Sequence, residues 1–457
     1  MILHPRLVRS DDPLPSLKLE IIFTSSAHPT TAARVHHRIS TFTKMSRSPS
    51  PTGSDVSTTS TVEYSHLPFS ELQSLLPSLL STLPLPAPTT VTRLPGGQYN
   101  RVVGLTFPAP LPSALLRITR NADDPPPLSP TIALLPHLAP IPVPRIIAYD
   151  TTTNNPLNLP YLLQTILPGQ RLDEVYDSLS TPLRCVVAEQ MAALIGAIER
   201  ITFATPGLVV PATPIPERGV VDSNASPTPL AVNRFPEPRN PYMEPSALPP
   251  RREPARQDTP LSVKQLLLQR LQENLESDKH AEGRGWLLPN WEVLRQLIEA
   301  LEVDDTVPAE GFVLHHWDLE ARNILVDPET GRFVGVLDWD QAQALPRVLG
   351  RRAPVWLWDE GEGWEEGVRE EWDGDADEVE ELVPKKVANR AVYDKFLEGV
   401  KSLGGDYRAD AEGEGRWVRR VWRCVSEGLW SSAELDRVER LLEDWNRKND
   451  GEDEEMT

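Results

Sequence analysis

Two short apolar runs, Asn323–Asp327 (NILVD) and Arg332–Leu337 (RFVGVL), flank the tetrapeptide Pro328-Glu329-Thr330-Gly331, and this arrangement leaves the chain little local freedom. β-branched and aromatic side chains favour a pleated strand, whereas Pro and Gly supply the backbone angles of a tight turn, so the segment predicts a hairpin. A turn centred near Glu329 and Thr330 sets Asn323 opposite a residue near Val336. Asn323 and Asp338 then emerge together at the open end of the hairpin. A side-chain amide beside a carboxylate suits Mg²⁺, a hard ion that takes oxygen ligands and is usually held by one or two protein groups. Asp318 precedes this pair on the irregular segment entering the hairpin. From there it can face the same point and accept a proton from a hydroxyl nucleophile.

The run His316-Trp317-Asp318-Leu319-Glu320-Ala321-Arg322-Asn323, followed by Asp338-Trp339-Asp340, resembles the catalytic and metal-binding loops of the aminoglycoside phosphotransferase family, distant relatives of protein kinases. Its fungal-type members look most similar. The resemblance implies that Asp318 is the catalytic base, that Asn323 and Asp338 hold Mg²⁺, and that His316 braces the loop through hydrogen bonds. Trp317 stands where the family usually has Gly, and Glu320 and Ala321 where it usually has His and Pro, so the substrate side of the loop differs.

Upstream, Val91–Thr119 alternates as three strands, with the turn Pro95-Gly96-Gly97-Gln98-Tyr99-Asn100 between the first two. Gly96 and Gly97 let backbone N–H groups approach phosphates closely. By the family likeness Arg117, on the third strand, is the cation that contacts the nucleotide phosphates, with the planar fork that suits the task. The family also places a Glu on the next helix to hold that cation. Here Thr131 occupies its place, and Pro130 and Pro136 predict a short or broken helix. Ile141–Asp150 and Pro160–Gly169 resemble the last N-lobe strands and the interlobe hinge, which puts the adenine of ATP beside Gln164, Thr165 and Leu167.

Composition frames these motifs. At 457 residues, 39% hydrophobic and 25% charged, the chain is long enough for two or three domains with a sizeable core. Its 47 prolines are unevenly spread, 14 of them between residues 206 and 260, so residues 206–258 are expected to form a disordered Pro-rich insertion. Residues 1–60 are expected to be a disordered extension, with Met45 an alternative start, and residues 451–457 a solvated acidic tail. The net charge is -20, and residues 359–381 alone carry 13 acids against one Arg, which argues against a nucleic-acid partner; the run reads first as a solvated surface segment and second as a surface that attracts a cationic acceptor. Cys185 and Cys424 show no metal or redox spacing and read as core thiols of a reducing, cytoplasmic protein. No apolar run reaches the ~18 residues a membrane span needs, so no membrane association is expected. A monomer is expected.

Helices are predicted at 69–83, 181–201, 261–278, 289–301, 384–402, 414–427 and 431–447. Trp356, Trp358 and Trp364 follow the catalytic stretch, with core packing favoured over substrate stacking. Together these features predict an α+β protein-kinase-like two-lobe fold. The N-lobe would span 61–163, the hinge 164–169 and the mainly helical C-lobe 170–450. The implied activity is ATP-dependent transfer of the γ-phosphoryl group to a hydroxyl of a small molecule. A second reading keeps the fold as a catalytically weak nucleotide-binding or interaction module, as the absent helix Glu permits. Phosphorylation of protein side chains fits less well, because no APE-like signature follows Asp338.

Overall fold

The computed structural model describes residues 2–8, 18–24, 68–94, 96, 100–120, 126–222, 225–238, 254–280, 284–304, 306–358 and 383–455. The acid run 359–381 with Trp364, and Gly97 of the glycine turn, lie outside the described residues. Near the N-terminus β1 (Ile2–Val8) pairs antiparallel with β2 (Lys18–Thr24). This corrects the expectation of no regular structure for that part of residues 1–60. Leu19, Ile21 and Phe23 recur at every second position, a strand period hidden by the Ser/Thr/Pro-rich sequence around it.

The N-lobe begins with helix α1 (Phe69–Ser81), which buries Leu72, Leu76, Leu79 and Leu80. Those leucines form one core with Val103, Leu105, Leu116 and Leu163 of the sheet beneath, each buried side chain contributing ~1.5–3 kcal/mol. The sheet comprises β3 (Thr90–Leu94), β4 (Asn100–Thr106) and β5 (Ala114–Thr119), then, after the short helix α2 (Ser129–Leu134), β6 (Ile146–Asp150) and β7 (Tyr161–Thr165). Helix α2 ends in a 3₁₀ turn at Leu135–His137, where Pro136 removes a backbone donor.

After β7 the chain leaves the N-lobe and turns at Gly169, whose φ of +96° a side chain rarely tolerates; a Cβ there would also lie 2.5 Å from Val334. Strand β8 (Gln170–Arg171) follows at once and becomes the third strand beside the predicted 323–337 hairpin. The lobe connection and that hairpin are thereby one piece of sheet. Helix α3 (Thr181–Glu199), predicted at 181–201, carries Pro182 in its first turn and, contrary to the expectation that no run reaches that threshold, is long and apolar enough by length and composition to cross a membrane. It is the central helix of the C-lobe, with Val187, Ala188, Met191 and Ile195 in the same core as Val392, Tyr393 and Phe396.

The Pro-rich insertion departs most from expectation. Strand β9 (Thr202–Phe203) leads into β10 (Gly207–Pro211), β11 (Arg218–Val220) and β12 (Leu230–Asn233). Strands β10 and β12 join the C-lobe sheet, and β11 adds an outer strand to the N-lobe sheet by pairing with β6. The described residues 207–222 and 225–233 therefore pair with the sheets of both lobes rather than forming an unstructured loop. Pro206, Pro211, Pro214, Pro216, Pro227 and Pro229 fall at strand ends or between strands, where no ladder N–H is needed, while GLVV and LAV carry the pairing. Residues 239–253 lie outside the described residues.

The rest of the C-lobe comprises α4 (Val263–His280), α5 (Leu288–Ala300), β13 (Phe312–His315), the hairpin β14 (Ile324–Asp327) and β15 (Arg332–Val336), β16 (Gln343–Leu345), α6 (Val387–Val400), α7 (Glu414–Glu427) and α8 (Ser432–Glu455). Strands β12, β10, β16, β13 and β9 lie in that order in one sheet. The backbone helix of α8 runs on to Glu455, which corrects the reading of residues 451–455 as a tail. Trp358 is buried against Tyr393 and Phe396, so the core-packing reading holds for it. Among the described residues both cysteines are free thiols.

Candidate active site

The hairpin forms as its sequence dictates. Ile324 pairs with Val336 and Asp327 with Arg332, and Leu337 N–H donates to Asn323 O at 2.8 Å as the last rung. Immediately beyond, Asp338 takes the left-handed conformation (φ +59°), which short polar side chains tolerate better than others. The kink turns its carboxylate out of the strand. Buried Trp339 secures the kink by donating its indole N–H to Val336 O at 3.2 Å.

His316 ties the incoming loop to this corner. Its Nε2 lies 2.8 Å from Leu337 O, and Asp318 N–H donates to its Nδ1 at 3.1 Å. A carbonyl can only accept and a backbone N–H can only donate, so the ring is neutral with its proton on Nε2. Burial holds the imidazole below its usual pKa, and the Trp339 ring meets it edge-on at 4.6 Å between centroids. The Asp318 carboxylate is steered from two sides, by Arg322 and by Asn323 Nδ2 at 2.8 Å. Asn323 Nδ2 also donates to Asp318 O at 2.9 Å. Both donor hydrogens of the amide are therefore committed to Asp318, and among the described residues its carbonyl oxygen has no donor.

The Asp338 side chain is 49% exposed. Partial desolvation and the neighbouring Asp340 raise its carboxyl above the usual range, while Arg117 opposes them. Arg117, from β5, reaches across with its Nη2 3.7 Å from Asp338 Oδ1 and in direct ion-pair contact with Asp340. Its burial would lower its pKa, but Asp340 and Asp338 outweigh that and keep the guanidinium firmly charged. Thr131 Oγ1 donates to the other Asp340 oxygen at 2.6 Å.

The remaining candidates lie between β3 and β4 and along β7 and the segment that follows it. Gly96 is required sterically, since a Cβ would come within 2.6 Å of Asn100 O. Gln164 is buried within β7, paired with Leu115 and Ile146, and Thr165 exchanges hydrogen bonds with the Arg145 backbone. Leu167 packs over Gly335 of the hairpin, where a Cβ would meet its Cδ1 at 2.8 Å. The structure thus brings Asp318, His316, Asn323, Asp338 and Arg117 to one corner. Sequence reasoning assigned no role there to Asp340 or Arg322, and read Thr131 only as the absence of the helix Glu. The Asp-Trp-Asp spacing was a usable signal for Asp340, because a buried Trp339 leaves the acids on either side of it free to face the cleft.

These groups fit a metal–nucleotide. Arg117 Nε is buried without a hydrogen-bond partner, so the cation has donor capacity left over beside the exposed Asp338 carboxylate and the uncommitted Asn323 oxygen. A guanidinium with spare donors suits phosphate, and an amide oxygen with a carboxylate suits a hard divalent ion.

The profile of the phosphotransferase enzyme family (APH) matches residues 90–349, more than half of the chain, from β3 to just beyond β16. No curated protein matches the chain. Solved structures similar to it include a thermostable mutant of aminoglycoside phosphotransferase APH(4)-Ia in ternary complex with AMP-PNP and hygromycin B, at 13% identity and a TM-score of 0.43, covering 80% of this chain and 96% of that one. ADP-bound aminoglycoside phosphotransferase APH(2'')-Ib is another, at 12% identity and a TM-score of 0.41, with 81% and 96% covered. Choline kinase from Cryptosporidium parvum follows at 11% identity and a TM-score of 0.37, with 79% and 89% covered.

Proposed function

Because the chain belongs to the phosphotransferase enzyme family and has its protein-kinase-like two-lobe α+β fold, we propose that it transfers the γ-phosphoryl group of ATP to a hydroxyl of a small molecule. The observation that carries this reading is the convergence of Asp318, Asn323, Asp338 and Arg117 on one corner of the interlobe cleft. When bound, Mg²⁺ neutralises charge on the phosphates and holds them in line for transfer. Asn323, through its free carbonyl oxygen, and Asp338 would be its protein ligands.

Asp318 orients the acceptor hydroxyl and takes its proton, a task that requires the carboxylate to be held still. Arg322 and the Asn323 amide provide that restraint, and neutral His316 fixes the backbone of Asp318 itself. Arg117 presents its guanidinium to the phosphates from the N-lobe, and the Gly96 turn allows close backbone approach. Gln164, Thr165 and Leu167 line the connection where the adenine would rest. The exposed Trp317 ring, next to Asp318 in the chain, gives the acceptor side an aromatic surface compatible with a cationic or apolar acceptor.

The test is nucleotide titration with and without Mg²⁺, combined with ADP release measured across amines, sugars and amino alcohols. Mg²⁺-dependent ATP binding together with acceptor-stimulated ADP release is expected. Tight nucleotide binding with no acceptor supporting turnover would favour a nucleotide-binding module instead.

A further inference from the structure

Arg117 is a buried cation, only 9% exposed, and a buried charge must be paired to be tolerated. Thr131, on the neighbouring helix α2, carries no charge to pair with it. The anion comes instead from the opposite lobe. One oxygen of Asp340 contacts the guanidinium and the other accepts from the Thr131 hydroxyl at 2.6 Å. Two N-lobe elements, β5 and α2, therefore close on a single carboxylate of the C-lobe hairpin segment. Asp338, 3.7 Å from the same guanidinium, is too distant for a hydrogen bond and keeps its carboxylate open to the cleft.

We propose that Asp340 is the positioning residue for Arg117, anchoring the phosphate-binding cation from the C-lobe with Thr131 as its second support. This rests on the reading of Arg117 as the phosphate cation. The two acids of Asp338-Trp339-Asp340 thereby divide the work, the first facing the metal side and the second the cation. A threonine suffices at position 131 because the charge has moved to the hairpin. Phosphate binding by the N-lobe is then coupled to the seating of the catalytic hairpin, with no ion pair inside the N-lobe required.

The experiment compares wild type with Asp340→Asn, Asp340→Glu, Thr131→Val, Asp338→Asn and the double variant Asp340→Asn/Thr131→Glu. Nucleotide affinity is measured with and without Mg²⁺, beside the melting temperature of the nucleotide-free protein. Asp340→Asn should weaken nucleotide binding about 10- to 100-fold whether or not Mg²⁺ is present, as expected for losing a charge-assisted hydrogen bond, and should lower the melting temperature by several degrees. Moving the carboxylate onto the helix in the double variant should recover most of both losses. Asp338→Asn should weaken binding only when Mg²⁺ is present. Should Asp340→Asn fail to fold, Asp340→Glu and Thr131→Val read the same contacts, each expected to give a smaller loss of the same kind. The proposal is overturned if Asp340→Asn loses only the Mg²⁺-dependent part of binding, which would make Asp340 a metal ligand. It is equally overturned if that variant binds and melts as wild type does. If wild type binds no nucleotide, the phosphotransfer reading fails, whereas the melting temperatures still decide whether Asp340 holds Arg117.

Discussion

Replacing His316 with Phe isolates what two hydrogen bonds contribute to the proposed catalytic corner. A phenyl ring keeps the edge-on contact with Trp339 but makes neither the bond to Leu337 O nor the bond from Asp318 N–H. Each backbone group is then left unpaired in a part-buried setting, at ~1–3 kcal/mol apiece, so the variant should be destabilised by about 2–6 kcal/mol. With a shift of ~2 °C per kcal/mol, the low end of the range for large domains, the melting temperature should fall by roughly 4–12 °C. Catalysis should suffer differently from binding. Asp318 loses the restraint on its backbone while Asn323 and Asp338 keep theirs, so kcat should fall about 10- to 100-fold with nucleotide affinity changed by less than about twofold. Thermal unfolding and steady-state kinetics with the best acceptor read both effects. A His316→Phe variant that melts within about a degree of wild type and turns over normally would refute the bracing argument.

Three further outcomes are expected. Asp318→Asn should leave Mg²⁺–nucleotide binding nearly intact and lower turnover by ~10²- to 10⁴-fold, whereas Asp338→Asn should weaken Mg²⁺-dependent binding and turnover together; equal losses in both would collapse the assigned roles. Burial lowers His315 from 6.5 to about 3 in the folded protein. The unfolded chain therefore binds the extra proton first, and the stability tied to this group is fully present above pH 6.5 and lost by up to ~1.4 kcal/mol per unit as pH falls toward 3. His315→Phe should flatten that acid limb in denaturant titrations, and an unchanged slope would show that His315 does not set it. Replacing residues 207–233 by a flexible linker removes strands from both lobe sheets and should lower the melting temperature by several degrees; no change would return the segment to the status of a loop.

Where chemistry is local, the sequence was sufficient. The hairpin register follows from a Pro-Glu-Thr-Gly turn between two β-prone runs, and helices such as Thr181–Glu199 and Leu288–Ala300 follow from apolar periodicity with proline at the start. Asp318, Asn323 and Asp338 could be placed together because the turn that joins their strands is short. Two decisions lay beyond local pattern. Residues 207–233 look unstructured because proline dominates their composition, yet runs of three to five residues suffice once another strand offers its edge, and those edges belong to β16 and β6, far away in sequence. Likewise Thr131 could be read only as a missing charge. The carboxylate that balances Arg117 stands 223 positions away at Asp340. A long-range ion pair leaves no periodic signature in a single sequence, and only the closing of one lobe on the other brings its two halves together.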